Sequence, residues 1–342
     1  MTMLQRYVNK GREVLNRIIT SVQHKGIILM YHRIAEMDVD PWYLCVSPEN
    51  FAAQLDVLRK HARPMSLQKL AAAVREGNVP PRTVAVTFDD GYANNLYTAK
   101  PLLERYDVPA TVFVTTGYLG SEKEYWWDEL DQALLRPGTL PPRLSLTVGD
   151  NSRNWDLSAA SSYTEDEYRN DCARAPKSPR LSFYYSVWEW LRPFPDASRR
   201  KMLDAIVSWT GRDSHLRPTH RSLLREEVVT LAQGGLVEVG PHTVSHAMLS
   251  HHTEDIQRQE IEESKQCIER LLGTSITSFS YPFGRYNETT VSLVKQAGFT
   301  AACTVENSTI QQGSDPFQLP RFGVFDMNGR VFERQLLQWL RT

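Results

Sequence analysis

The sequence predicts an α/β fold, either a (β/α) barrel or an open doubly wound sheet, and three observations point to it. Short apolar segments rich in β-branched residues recur along the chain. Several of them are almost continuously apolar, as parallel strands buried on both faces are. Helical patterns separate these segments from one another. The predicted strands are Ile27–Tyr31, Val84–Phe88, Ala110–Thr115, Leu236–Val239, Ile276–Tyr281, Thr300–Val305 and Leu319–Val324.

The predicted helices are recognised by apolar residues at helical spacing and by residues that start or stop a helix. Ser66 precedes one of them and has the side chain of an N-cap. Gly273 follows the longest one as a C-cap. The predicted helices are Asn50–His61, Leu67–Arg75, Ala99–Tyr106, Glu254–Leu272 and Thr289–Ala297.

One long stretch interrupts the alternation of strands and helices. Residues from about 118 to 235 separate the third predicted strand from the fourth, and an ordinary connection is much shorter. Six of the eight tryptophans lie in this stretch, at positions 126, 127, 155, 188, 190 and 209. We therefore expect one domain over residues 25–342, enlarged by a mostly helical, tryptophan-rich insertion at about 118–235.

Residues 1–24 precede the first strand and predict a separate amphipathic helix. Met3–Val22 carries apolar residues at helical spacing, and its four basic residues outnumber the single Glu13. We expect this helix to pack on the domain or, as the alternative, to lie on an anionic membrane surface as a peripheral contact.

Composition and charge exclude several classes of protein. Hydrophobic residues make up 41% of the chain, which is enough for a core. Lys and Arg total 39 and Asp and Glu total 40, so the basic excess of a nucleic-acid-binding protein is missing. No apolar run approaches the ~18–20 residues that span a bilayer. Because the first residues lack a signal-peptide pattern and the four cysteines form no C-x-x-C pair, we expect a cytoplasmic protein.

Ionisable residues follow the ends of several predicted strands, where parallel α/β folds place their active sites. Asp89 and Asp90 are adjacent, so one side chain can face a metal while the other faces a substrate. His242 and His246 are four residues apart, a spacing that one helical turn places on one face. With Asp90 they would form a ligand set that suits zinc and other divalent metals. The alternatives are an ordinary Asp-Asp-Gly turn and a chance pair of histidines on a solvated loop.

Three segments, in this order, resemble the first three motifs of the polysaccharide deacetylases, also called the NodB-homology or carbohydrate esterase family 4 enzymes. They are Thr87–Tyr92 (TFDDGY), His242–His246 (HTVSH) and Tyr281–Gly284 (YPFG). The resemblance covers about residues 25–342 and implies a distorted (β/α) barrel with seven or eight β/α units. Tyr125–Leu130, at the start of the insertion, resembles a branch of the family found in bacterial surface-polysaccharide and O-antigen gene clusters.

The resemblance implies a role for each motif residue. Asp89 would be the general base that takes a proton from the attacking water. The backbone N–H near Phe283 would help to bind the oxyanion. The implied ligands of a divalent metal, zinc first and nickel, cobalt or iron as alternatives, are Asp90, His242 and His246. The implied substrate-binding residues are Tyr92, Tyr281, Pro282, Phe283 and Gly284.

The chain departs from the family pattern at several points. Many members have an arginine at the start of the third motif that pairs with the base, but here Ser280 stands there, and Arg321 is the expected substitute. Many members supply the general acid as a histidine near the C-terminus, but no histidine follows His252. His32 resembles the acid of the poly-N-acetylglucosamine deacetylase branch, and we expect it to protonate the leaving amine. A purely structural role is the alternative for His32 and Arg321, and the fourth family motif has no match.

The reaction implied by the resemblance is hydrolysis of the N-acetyl group of an amino sugar, linked to a nucleotide or a lipid, during surface-polysaccharide synthesis. It would take place in the cytoplasm, at the inner face of the membrane if the substrate is lipid-linked. Removal of a formyl group, or hydrolysis of a different amide or ester, is the alternative within the same chemistry. A non-catalytic glycan-binding protein that kept the fold is the alternative from another class. We expect the tryptophans of the insertion to form a small core, with stacking on sugar rings as the second interpretation.

Overall fold

A computed structural model describes residues 25–38, 40–172 and 177–341, and the helix predicted for residues 1–24 lies outside them. The strands of the described chain are β1 (Gly26–Tyr31), β2 (Arg33–Ile34), β3 (Cys45–Val46), β4 (Arg63–Pro64), β5 (Thr83–Phe88), β6 (Ala110–Val114), β7 (Arg143–Val148), β8 (Asn151–Asp156), β9 (Val237–Pro241), β10 (Ser278–Ser280), β11 (Ala301–Cys303) and β12 (Phe322–Gly323).

Helices follow most of the strands of the central fold. They are α1 (Pro48–His61), α2 (Leu67–Arg75), α3 (Lys100–Tyr106), α4 (Trp126–Leu134), α5 (Glu165–Cys172), α6 (Pro179–Leu191), α7 (Asp196–Thr210), α8 (Arg225–Ala232), α9 (Glu254–Leu272), α10 (Glu288–Gln296) and α11 (Gly329–Trp339). A π-helical turn (Asn95–Ala99) leads into α3, and short 3₁₀ turns lie at Thr116–Tyr118, Ser158–Ser161, Pro218–His220, Leu249–His251 and Pro282–Gly284.

The parallel strands follow one another around a distorted barrel. The main sheet has the order β12-β1-β5-β6-β9, with β4 also beside β5. β10 pairs in parallel with β11, and Cys303 of β11 bridges to Leu319, which leads into β12. The two sheets meet at β9 and β10. Their backbones are so close there that a Cβ on Gly240 would lie 2.8 Å from the carbonyl oxygen of Ser278. Glycine is therefore required at that position.

The central strands are buried on both faces, which explains their nearly continuous apolar sequences. In β1, Ile27 and Leu29 pack in one core with Phe51 of α1, whereas Ile28 packs in another with Leu70 of α2. Successive side chains of a strand point to opposite faces, so β1 contributes to both cores.

The insertion forms a core of its own beside the barrel. Helices α4, α6 and α7 pack with the antiparallel hairpin β7–β8, which sequence reasoning did not predict. Trp126 is fully buried there, and its ring stacks on Trp188 with centroids 5.6 Å apart. Arg180 is also fully buried, and all the hydrogen bonds that it donates within the described ranges go to backbone carbonyls, among them those of Leu134 and Ala160. These bonds tie α6 to the neighbouring segments.

The predicted alternation of parallel strands and helices is confirmed. Each predicted strand has a counterpart, and α9 has the predicted bounds. The last three strands are shorter than predicted: Ile276–Tyr281, Thr300–Val305 and Leu319–Val324 shorten to Ser278–Ser280, Ala301–Cys303 and Phe322–Gly323. The Ser66 side chain accepts a hydrogen bond from the backbone N–H of Lys69, and Gly273 ends α9 with a φ of +67°. Within the described ranges, no helix has both the length and the apolar character needed to cross a membrane.

Candidate active site

The carboxyl ends of the barrel strands open into a cavity of about 180 Å³. Side chains from β1, β5, β9 and the loops after them face it, because parallel strands bring their C-terminal ends to one side of a barrel. Part of the insertion covers the same side. The lining residues are Met30, His32, Trp42, Leu44, Asp89, Asp90, Trp127, Trp188, His242, His246, Phe283 and Val305.

Asp89 is held by a bidentate ion pair with Arg321, the arginine expected to replace the missing one at Ser280. The two guanidinium NH groups donate to the two carboxylate oxygens at 2.7 Å each, and the Arg321 side chain is completely buried. Burial alone would raise the pKa of Asp89, but the positive charge of Arg321, helped by its hydrogen bonds, lowers it below the usual range. Asp89 is therefore ionised at neutral pH, as a general base must be.

Asp90, His242 and His246 lie together as a group of ligand-type atoms, all within 4.8 Å of one another. His246 Nε2 is 3.3 Å from Asp90 Oδ1, and His242 Nε2 is 3.8 Å from the same oxygen. Burial lowers the pKa of His242 to about 4 and that of His246 to about 3, so both imidazoles are neutral. His242 Nδ1 lies 2.8 Å from the carbonyl oxygen of Ser280, which leaves the Nε2 lone pair facing the cavity.

This donor set fits a divalent cation. The Asp90 side chain is almost completely buried, and within the described chain it has no lysine or arginine partner. Burial therefore raises its pKa, with partial compensation from His32 and His242. A buried carboxylate that faces two neutral imidazoles lacks a positive charge, and a bound metal ion would supply it.

The two histidine ligands lie on a loop, so the expectation of a helical turn over His242–His246 is wrong. Thr243 and His246 have φ values of +64° and +55°, a conformation that no helix contains. The loop is held from outside: Glu260 of α9 accepts hydrogen bonds from the backbone N–H groups of Val244 and Ser245 at 2.8 Å each. These bonds compensate for the unfavourable backbone angles of the ligand loop.

Two further contacts support the same loop. The N–H of Gly117 donates to the carbonyl of Val244 at 2.8 Å, and a Cβ on Gly117 would lie 2.6 Å from that oxygen. Arg199 of α7, a fully buried residue of the insertion, donates to the carbonyl of Ser245 at 2.9 Å. The insertion therefore contacts the ligand loop directly.

His32 lines the cavity together with both aspartates. Its carbonyl oxygen accepts a hydrogen bond from Asn95 at 2.9 Å, which fixes the backbone at the end of β1. Burial lowers the pKa of His32, although Asp90 and Asp89 act in the opposite direction. The resting imidazole is neutral, so it must gain a proton before it can act as an acid.

The motif residues expected to bind substrate divide into two groups. Phe283 lines the cavity, with a φ of +57°, and its ring meets His246 edge-on at 4.4 Å. Tyr92, Tyr281, Pro282 and Gly284 do not line it. Tyr92 is fully buried and donates to Asp128 Oδ2 at 2.8 Å, and Tyr281 is buried with its hydroxyl group donating to the carbonyl of Phe317. These four residues therefore shape the backbone around the cavity without contacting the interior of the cavity.

Sequence reasoning missed half of the residues that line the cavity. Trp127 and Trp188 come from the insertion, and Trp42 comes from the loop before β3. The ring of Trp127 meets that of His246 at 4.7 Å, and its indole N–H donates to the hydroxyl of Tyr92 at 2.8 Å. The insertion tryptophans thus belong partly to a core and partly to the cavity wall.

A second group of ligand-type atoms, Asp128, Asp131 and His220, lies outside the cavity. Its carboxylates already have cationic partners: Arg33 is 3.2 Å from Asp128, and Arg217 is 2.9 Å from Asp131. This group is therefore an ion-pair network that joins the insertion to the barrel.

Comparison with known proteins shows what this chain is similar to. A family model described as polysaccharide deacetylase matches residues 76–138 and 204–302, which contain the aspartate pair, both histidines and the third motif. Over these residues, which are just under half of its length, the chain matches the polysaccharide deacetylase family. The gap in the match, residues 139–203, falls inside the insertion.

The relatives share only part of their length with this chain. YxkH of Bacillus subtilis strain 168 is 30% identical over 111 residues, which are 32% of this chain and 39% of YxkH. The poly-β-1,6-N-acetyl-D-glucosamine N-deacetylase of Staphylococcus aureus strain MSSA476 is 32% identical over 92 residues, 27% of this chain and 32% of that protein. The chain therefore matches less than half the length of these curated relatives.

The fold extends beyond these matches. The deacetylase PplD of Streptococcus pyogenes, solved in complex with acetate, superposes with a TM-score of 0.57 at 19% identity, over 94% of this chain and 100% of that one. This likeness confirms the predicted fold class, a NodB-like α/β fold.

Proposed function

We propose that this protein is a metal-dependent deacetylase that removes the N-acetyl group of an amino sugar during synthesis of a bacterial surface polysaccharide or O-antigen. One observation carries the proposal: a buried group of two neutral histidines and a carboxylate lies beside an arginine-paired aspartate in a single cavity. The match to the polysaccharide deacetylase family model supports the same reaction.

Asp90, His242 and His246 would hold the metal, zinc or another divalent ion. Such a metal supplies Lewis-acid polarisation of an amide carbonyl and acidifies water towards neutral pH. Asp89, kept ionised by Arg321, takes the proton of the attacking water. His32, which follows the strand next to that of Asp89, would receive this proton from Asp89 and donate it to the departing amine.

The cavity wall favours an acetylated sugar. Trp42, Trp127, Trp188 and Phe283 present apolar ring surfaces, which suit the methyl group of an acetyl and the C–H face of a sugar ring. They also exclude water from the reacting groups, which strengthens electrostatic interactions inside the cavity. We propose that the sugar is carried on a nucleotide or a lipid and is processed in the cytoplasm or at the inner face of the membrane.

Metal analysis combined with an acetate-release assay tests this proposal. The purified chain is expected to contain about one equivalent of metal and to release acetate from N-acetylated amino sugars. Asp89→Asn should retain the metal and lose at least 100-fold in activity, because a general base contributes about that much. Asp90→Asn should lose the metal as well.

Asp107→Asn is the matched control, because Asp107 is exposed and lies outside the cavity. It should keep the metal content and activity of the wild type. A wild-type protein that binds no metal and releases no acetate from any amino sugar tested would contradict the proposal and favour a glycan-binding protein. Release of formate from N-formyl sugars, without release of acetate, would replace it by a deformylase.

A further inference from the structure

Two arginines lie beside the cavity wall and are not used by the proposed chemistry. Arg192 follows the end of α6, and its guanidinium carbon is 4.9 Å from the centroid of the Trp188 ring and 5.6 Å from that of Phe283. Both rings line the cavity. Arg285 follows two residues after Phe283 and is exposed. We call Arg192 and Arg285 the rim pair.

The rim pair has no counter-ion in the described chain. Neither guanidinium forms an ion pair with a described carboxylate, and Arg192 Nε is buried without a hydrogen-bond acceptor. The pKa of Arg192 is lowered, first by burial and then by the positive charge of Arg285, while the neighbouring Glu189 acts in the opposite direction. A partly buried guanidinium without an anion is unfavourable, and an anionic ligand at Arg192 would remove that cost.

The cavity is too small for more than part of an extended substrate. Its volume of about 180 Å³ is below the ~300–1,000 Å³ of a typical pocket for a larger ligand. It can therefore take a group about the size of one sugar residue. Whatever is attached to that residue must lie outside the cavity, and Arg192, beside Trp188 and Phe283, and Arg285, two residues after Phe283, are cations next to its wall.

Building on the proposed function, we propose that Arg192 and Arg285 bind the phosphate groups of a sugar diphosphate. The substrate is then a single N-acetylated sugar joined through its anomeric oxygen to a diphosphate, and the rest of the carrier lies outside the cavity. Guanidinium groups suit this role because they bind phosphate oxygens in a bidentate manner and stay charged at any physiological pH. The nucleotide and the lipid form of such a substrate share this diphosphate.

Steady-state kinetics of acetate release from three substrates tests the inference. The substrates are the neutral methyl glycoside of N-acetylglucosamine, uridine-diphosphate N-acetylglucosamine and a farnesyl-diphosphate-linked N-acetylglucosamine. At least one diphosphate-linked form should exceed the neutral glycoside by tenfold or more in kcat/KM, and the preferred form identifies the carrier. Its kcat/KM should also fall as salt is raised, whereas that of the neutral glycoside should stay nearly constant.

Arg192→Gln and Arg285→Gln should each raise KM for the diphosphate-linked substrate by about tenfold, with little change in kcat, because a lost charge-assisted hydrogen bond has about that effect. Arg153→Gln is the matched control: Arg153 also stacks on a tryptophan, Trp155 at 5.1 Å, but lies outside the cavity. It should leave all three reactions unchanged.

The inference is overturned if the neutral glycoside is hydrolysed as efficiently as the diphosphate-linked sugars. It is also overturned if the two rim variants slow all substrates in parallel, which is the result of a merely structural role. In both cases acetate release persists and the proposed function stands. Absence of release from every substrate would instead overturn the proposed function together with this inference.

Discussion

Replacement of Arg321 by methionine should destabilise the fold in a manner that depends on pH. The Arg321 guanidinium makes five hydrogen bonds, two to Asp89 and one each to Thr87, Ser280 and Thr304. Methionine fills a similar volume but leaves the buried Asp89 carboxylate without its cation. Breaking a buried ion pair in this way costs about 3–5 kcal/mol of unfolding free energy.

The pH dependence follows from the pKa of Asp89. In the wild type Arg321 lowers this pKa, so the pair stabilises the fold fully above about pH 4 and loses its effect only in stronger acid. In Arg321→Met, burial raises the pKa instead. The penalty is then complete at pH 7.5 and shrinks, by about 1.4 kcal/mol per unit, as the pH falls through the raised pKa.

Urea denaturation at pH 7.5 and at pH 5, in the presence of a chelator so that the metal state is uniform, measures both effects. Arg180→Met is the control, because Arg180 is equally buried but bonds only to backbone carbonyls. Its destabilisation should be the same at both pH values. If the loss in Arg321→Met were below about 1 kcal/mol, or did not shrink at pH 5, the account of this ion pair would be wrong.

Three further substitutions test the supports of the site. Glu260→Gln should weaken metal binding by about 10–100-fold in a calorimetric titration, because residues that hold a ligand loop from outside have effects of that size. The control is Glu263→Gln, which should leave metal binding unchanged because Glu263 is exposed. Gly117→Ala should also lower metal affinity, because the added Cβ would displace the carbonyl of Val244 in the ligand loop. Unchanged affinity would mean that the ligand loop does not depend on this close approach. Tyr92→Phe should lower the unfolding free energy by about 1–3 kcal/mol in urea titrations, because the Asp128 carboxylate and the Trp127 indole both lose their hydrogen-bond partner. A loss smaller than about 0.5 kcal/mol would show that the fold does not need this hydroxyl group.

The parts of the fold that sequence reasoning predicted are those governed by local rules. Helix α9 has the expected bounds because its apolar spacing and Gly273 act within a few residues of one another. The ends of β5 and β9 were also predictable, since a polar residue after a buried strand has nowhere to lie except at the edge of the barrel. The same rule brings Asp89, Asp90 and His242 to one cavity.

The parts that could not be predicted depend on contacts between distant segments. The spacing of His242 and His246 is compatible with a helix and with a loop, and the choice is made by Glu260 and Gly117, which lie elsewhere in the chain. The place of Trp127 in the cavity wall depends on how the insertion packs against the barrel, which its own residues do not reveal.

The pairing of Asp89 with Arg321 also has a consequence for how the chain folds. The two residues are 232 positions apart, so the ion pair closes a very long loop. Loop-closure entropy grows slowly with length, but such non-local contacts form late. Until the last barrel segment docks, Asp89 has no cation, and burying its carboxylate is unfavourable. The aspartate thus disfavours closure of the barrel before the segment around residue 321 has docked.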